Sequence, residues 1–221
     1  KGRIKEDDSS VPYKLNGYWY VTKFEKGKDY PIYTRRKETL EAPEELLFDA
    51  NEMANGYAYF KLGSIAISPD NTLAAFSQDT VSRRQYSIRV KNLITGEIYT
   101  EEIKNTSGGM TWANDNKTIF YTRKNEVTLR SDKVFKHHLN TKVETDKEVF
   151  FEKDETFNTF IYKTKSKKFL VIGSTSTLTT EYRFLSADTP DGEFKIFQKR
   201  QRELDYAIAH YKDTFYVISN L

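Results

Sequence analysis

A short module recurs along this 221-residue chain at steps of 45 to 55 residues, and that repeat constrains the fold more than any other feature. Its clearest copy is Gly63–Ser77: a short apolar strand, a polar turn, and a second apolar strand ending in Ser. The same shape returns at Met110–Thr122 and, degraded, at Phe160–Ile172 and Ala207–Ser219. A weaker first copy is Val11–Val21. Aligned on the turn, the copies are anchored at Asn16, Asn71, Asn116, Lys167 and Asp213, with steps of 55, 45, 51 and 46 residues. Periods of about 40 to 50 residues with strands in every unit are the mark of β-propellers. Such a fold acts as a scaffold or gate more often than as a catalyst.

The second unit shows the expected blade most fully. Ser64–Ser68 is its first strand, and Pro69, Asp70 and Asn71 form the turn, because Pro presets φ while Asp and Asn bond their own backbone. Leu73–Gln78 and Gln85–Asn92 are the second and third strands. Thr95-Gly96 turns the chain into a fourth strand, Glu97–Ile103, and Asn105–Gly109 crosses to the next unit. Elsewhere Gly17–Phe24 and Tyr30–Arg35 read as a hairpin. Glu38–Glu45 reads as a loop around Pro43, and Glu44–Asp49 as a short outer strand. Asp49–Tyr57 is the best helix, stopped by Gly56. Val134–Leu139 and Glu181–Leu185 are third strands, Pro190–Gly192 is a turn, and residues 1–10 form a polar entry strap. The expectation is an all-β propeller of four-stranded antiparallel blades. About four and a half blades are present of an expected seven, at 11–55, 56–108, 109–155, 156–205 and an incomplete 206–221. Open arrays leave unpaired edges, so the chain is expected to be part of a longer protein.

Composition excludes several functions. The 35 basic and 32 acidic residues nearly balance, whereas a nucleic-acid binder carries a basic stripe. The runs Ser82–Arg84 and Gln198–Arg202 read as solvated faces or turn charges. Without Cys there is no disulfide, thiolate zinc site or Cys nucleophile. That usage fits the cytoplasm, and a bacterial periplasm as well. No apolar stretch approaches the ~18 residues of a membrane span, and the opening Lys1–Asp8 shows no targeting segment. Neither a nucleic-acid nor a membrane partner is expected.

The residues from Arg3 to Pro12, then Gly17–Tyr20 and Gly27–Tyr33, resemble the start of the propeller in the prolyl oligopeptidase family of serine peptidases. The resemblance continues through Asp49–Ala54, Tyr59-Phe60, Ser68–Asn71, Arg84–Leu93 and Thr95–Glu97. It runs on through Trp112–Arg123, Asp154–Phe157 and Ser174–Leu178, covering almost the whole chain in order. It implies a seven-bladed propeller joined to an α/β-hydrolase domain, absent here, that carries a Ser, Asp and His triad. In the branch of the family it resembles, that domain cleaves short peptides after Lys or Arg, and the propeller limits entry. The implied partners are the chain's own hydrolase domain and short basic peptides.

The residues themselves carry no such chemistry. The nucleophile elbow Gly-x-Ser-x-Gly does not occur, and Gly63-Ser64 and Gly173-Ser174 read as strand residues. His210, three residues before Asp213, reads as a satisfied strand histidine rather than a general base. His137 and His138, adjacent in a strand, point to opposite faces and form no metal face. Asp188–Gly192 is a turn without the calcium-loop pattern, and no Gly-rich phosphate loop occurs. Asn105-Thr106-Ser107 and Asn116-Lys117-Thr118 match the glycosylation sequon by coincidence. Trp19 and Trp112 are expected between blades. No catalytic, cofactor or metal residue is assigned, and no cofactor is expected. The first strands Ser64–Ser68, Met110–Ala113, Thr159–Lys163 and Ala207–Tyr211 are expected to line a channel. Their inward faces stay unassigned, since one register slip exchanges them. The alternative reading is a non-enzymatic propeller that binds proteins; against it, no Trp-Asp or double-glycine signature recurs.

Overall fold

The computed structural model describes residue 5 and residues 7–221. The part of the expected strap at residues 1–4 and 6 lies outside the described residues. The chain divides into two compact units, one running to Leu62 with Asp79–Arg83, the other comprising Gly63–Gln78 and Arg84–Leu221.

In the first unit, β1 (Asp8–Ser9), β2 (Tyr13–Leu15), β3 (Tyr18–Phe24), β4 (Ile32–Lys37) and β5 (Glu44–Asp49) form one antiparallel sheet, module 1. Asn16 and Gly17, both with positive φ at 50° and 82°, make the two-residue turn from β2 to β3, the backbone that Asn-Gly hairpins require. The expected helix over 49–57 is a single turn, α1 (Ala50–Met53), capped by the Asp49 carboxylate. The expected outer strand Glu44–Asp49 is β5, and Glu44 and Glu45, which the expected loop at 38–45 also included, belong to it because both pair with Arg residues of β4.

A seven-stranded antiparallel sheet follows: β6 (Lys61–Ile67), β7 (Leu73–Asp79), β8 (Tyr86–Asn92), β9 (Ile103–Trp112), β10 (Thr118–Lys124), β11 (Ser131–His138) and β12 (Lys147–Phe151). The expected fourth strand at Glu97–Ile103 is corrected here. Residues 97–102 hold one isolated bridge, Lys91 to Ile98, and β9 runs unbroken through the expected crossing at 105–109. Ile103 pairs with β8, Thr106 with both β8 and β10, and Met110–Trp112 with β10. One strand thus closes module 2 (β6–β8) and opens module 3 (β10–β12). Module 4 is β13 (Asn158–Lys163), β14 (Phe169–Thr175), β15 (Thr180–Ser186) and the short β16 (Lys195–Ile196). Module 5 is the hairpin of β17 (Tyr206–Tyr211) and β18 (Thr214–Ser219).

Side chains alternate across a strand, and the middle strands of modules 3 and 4 are covered on both faces. Ile119 and Tyr121 join a buried cluster with Ile88, Val90 and Trp112, whereas Phe120 between them joins Ile161, Leu170 and Ile172. Leu170 and Ile172 face that second cluster, and Val171 faces a third with Tyr206 and Ile208. Double burial is why these strands read as unbroken apolar runs rather than alternating ones. Module 2 therefore packs on 3, 3 on 4, and 4 on 5.

Candidate functional site

The polar seams between modules position the first strands. The turn residues Asn71, Asn116 and Lys167 all carry positive φ of 58° to 63°, which Asn tolerates and Lys adopts less readily. In the last copy the left-handed residue is Lys212 rather than the expected anchor Asp213, so the true step is one residue shorter. Each turn bonds the next module. The Asp70 amide donates to Asn116 Oδ1 at 2.9 Å, and the Trp112 indole donates to the Ala66 carbonyl at 2.8 Å. Tyr162 donates to the Ile208 carbonyl at 3.4 Å, and Lys168 pairs with Asp213 at 2.6 Å. These partners are 45 or 46 residues apart, the period of the repeat.

Asn114 is the densest stitch. Its backbone amide donates to the Ala187 carbonyl at 2.8 Å. Its side-chain amide donates to the Lys167 carbonyl at 3.0 Å and to Asp188 at 2.7 Å, and its Oδ1 accepts from Lys163 Nζ at 2.8 Å. Burial holds the Lys163 amine down at about 8, with Lys167 adding to the effect. Asn114→Ala removes three side-chain bonds between modules 3 and 4. At about 0.5–1 kcal/mol each, less than the full sum because two lie at the surface, the expected loss is about 1–2 kcal/mol. It is read as a lower urea midpoint at unchanged slope; an unmoved midpoint would mean the seam is decorative.

A second cluster joins the same modules through their connecting loops. The Arg200 guanidinium meets Glu152 at 2.6 Å, Glu181 at 3.5 Å and Asp154 at 3.7 Å. It lies 3.6 Å from the Phe157 ring centre. Arg130 backs this arrangement, donating to the carbonyls of Phe157 (2.6 Å), Glu152 and Asp154 (both 3.1 Å). Burial pushes the Glu152 carboxyl up, but Arg200, Ser174 and the Asp154 amide outweigh it and hold it below the usual carboxylate range. Arg200 departs from the solvated charge expected of the run Gln198–Arg202. It is instead anchored, because Glu152 and Glu181 converge on it; Gln198, Lys199, Gln201 and Arg202 are exposed, as expected. A cleft of about 410 Å³ opens beside it, with Asp154, Phe157, Leu178 and Arg202 among its walls.

No triad forms. Ser64 and Ser174 lie within β6 and β14, as strand residues. His138 is exposed, and His137 is buried between Asp146 and Glu101. His210 is buried, its ring packed edge-on against Phe169 and Phe215, and its Nδ1 is 2.8 Å from Ser166 Oγ. No local pattern marks that Ser–His pair, since Ser166 lies in the turn before β14 and His210 in β17, 44 residues away. The Ser166 hydroxyl also meets Thr164 at 2.9 Å, and Asp213 is held by Lys168. Ser166 sits in a hairpin turn rather than on a strand-to-helix elbow, so the pair serves the seam. Trp112 is core, as expected. Trp19 is not: it is half-buried, with its indole donating to the Glu38 carbonyl at 3.0 Å, because its strand position turns it to the sheet surface. The burial alternation also settles two strand faces. Thr159 and Ile161 are buried while Asn158 and Phe160 are exposed, and Tyr206, Ile208 and His210 are buried while Ala207, Ala209 and Tyr211 are exposed. No helix among the described residues is long and apolar enough to cross a membrane.

Residues 1–221 match the family described as "Prolyl oligopeptidase, N-terminal beta-propeller domain". The chain is 36% identical to dipeptidyl aminopeptidase BI of Pseudoxanthomonas mexicana over 99% of its own length and 32% of that protein. It is 29% identical to protease 2 of Moraxella lacunata, again over 99% of this chain and 32% of the relative. Among solved structures, oligopeptidase B from Leishmania major superposes with a TM-score of 0.91 at 30% identity, covering 98% of this chain and 31% of that one. The chain therefore spans about a third of the length of the relatives it matches.

Proposed function

The chain belongs to the prolyl oligopeptidase N-terminal β-propeller family, and from that premise we propose that it is the access-controlling portion of a serine oligopeptidase. The observation that carries this reading is a family match from end to end in a sequence without a nucleophile elbow. The triad then belongs to an α/β-hydrolase domain, the partner of this propeller in a protein of seven blades. The blade limits are those read from the repeat, at 11–55, 56–108, 109–155, 156–205 and from 206 on. The first strands of the modules, β13 and β17 among them, line the channel, and the seams fix how far apart those strands stand. A folded protein cannot pass such an opening, whereas a short flexible peptide can. The compartment we assign is the cytoplasm.

Our leading substrate is a short peptide cut after Lys or Arg, in line with the similarity to protease 2 and oligopeptidase B. A second reading, release of dipeptides from a free N-terminus, has its own support in the 36% identity to a dipeptidyl aminopeptidase. The longer protein encoded by the same gene separates them. Cleavage of an N-terminally blocked fluorogenic Arg peptide, abolished by a serine-directed phosphonate, supports the first. Cleavage confined to unblocked dipeptidyl substrates supports the second. Neither cleavage nor phosphonate labelling would overturn both and favour a protein-binding propeller.

A further inference from the structure

The seam between modules 2 and 3 is closed by a buried relay that neither the repeat nor the gating role requires. His137 on β11 is 1% exposed and has a carboxylate at each ring nitrogen. Asp146, from the loop before β12, meets Nδ1 at 2.7 Å, and Glu101, from the segment before β9, meets Nε2 at 3.5 Å. Tyr121 of β10 donates to the second oxygen of Asp146 at 2.7 Å, and Arg123 lies near the Tyr121 ring. These are the titratable and charged groups that face the relay.

The geometry selects a protonation state. A neutral imidazole has one N–H and one lone pair, so it can donate to only one of the two carboxylates. Both contacts are satisfied only by the imidazolium. When the proton leaves, the tautomer that keeps the short bond to buried Asp146 points a lone pair at Glu101. The Glu101 contact is longer and 22% exposed, so it is the one that fails. We propose that His137 is a proton-dependent tether that holds the Glu101 segment of module 2 against module 3 and releases it on deprotonation. A cleft of about 400 Å³ lies along this junction, with Glu102 and Lys104 beside Glu101 on one side and Val143 and Glu144 near Asp146 on the other. Release widens that cleft.

Burial disfavours the imidazolium, but Asp146 and then Glu101 outweigh it and raise the His137 titration above the ordinary value. A raised histidine stabilises the fold fully below its unfolded value near 6.5, and that contribution is lost as pH rises through the folded value.

With only three histidines in the chain, side-chain nitrogen NMR resolves His137 directly. Both ring nitrogens are expected to be protonated below a midpoint that lies above the ordinary value of about 6.5. A midpoint at or below that value would overturn the proposal. Amide exchange of residues 100–104, divided by the intrinsic base-catalysed rate, reads release. Protection is expected to fall across the same midpoint, by up to about tenfold for each unit that the midpoint is raised. Glu101→Gln, which keeps the fold's shape, should move the midpoint down, and His137→Gln should remove the pH dependence. Protection that stays constant through the His137 midpoint would show that the pair is static packing.

Discussion

Replacing Trp112 with alanine lowers unfolding stability by about 3–5 kcal/mol, the range for truncating a fully buried large aromatic. The indole is 1% exposed and packs with Ile88, Val90, Ile119 and Tyr121 at the junction of modules 2 and 3. Its N–H also supplies a bond that crosses between modules, to the Ala66 carbonyl at 2.8 Å, so truncation leaves that carbonyl without its donor. Trp112→Phe separates the two contributions. It keeps most of the packing and loses the bond, so its cost should be about 1–2 kcal/mol. Chemical denaturation of both variants checks this. A loss below about 1 kcal/mol for the alanine variant would mean that modules 2 and 3 are held together elsewhere.

Arg200→Ala is the second large effect, expected at about 2–3 kcal/mol. Removing one partner of a buried ion pair typically costs about 3–5 kcal/mol because the other charge is left uncompensated. The Glu152 side chain is 5% exposed, but Arg200 is 26% exposed, which lowers the figure. Arg200→Lys should recover little, since an ammonium reproduces neither the two-pronged contact with Glu152 nor the stacking on Phe157. The pH dependence has a definite sign. Glu152 is depressed in the fold, so its contribution is present above the ordinary carboxylate value of about 4.3 and is lost as pH falls through the folded value. The alanine variant should therefore approach the parent in stability on acidification. An equal gap at pH 7 and pH 3 would contradict the assignment of the cluster to ionic pairing.

Much of this architecture was readable because the turns have a chemical signature. Asn16, Asn71 and Asn116 read as turn anchors from the aligned repeat, and each has the left-handed backbone that favours Asn. The last anchor reads one residue late, at Asp213, because Asp looks the better turn former, yet Lys212 carries the positive φ. The apolar runs Ile119–Tyr121 and Leu170–Ile172 gave strands that are covered on both faces. The continuous β9 was hidden because Asn105 and Gly108 read as a crossing. Both do have positive φ, at 58° and 89°, but the register shifts against β8 and β10 absorb them as bulges within one strand. Arg200 and His137 were opaque for another reason. Their partners come from 19 to 48 residues and from 9 to 36 residues away, respectively, and no local pattern marks such convergence. The family match carried what the turns could not, since blade geometry by itself does not distinguish a gate from a protein-binding platform.

The central claim is that this chain governs access to chemistry it does not itself perform. Its most direct test is to expose residues 1–221 and the longer protein from the same gene, side by side, to a fluorescent serine-directed phosphonate and to blocked and unblocked fluorogenic peptides. The expected result is labelling and turnover by the longer protein alone, with Ser166→Ala in the shorter chain changing nothing. Phosphonate-sensitive cleavage by residues 1–221, lost in Ser166→Ala, would place a working nucleophile in the propeller and contradict the account.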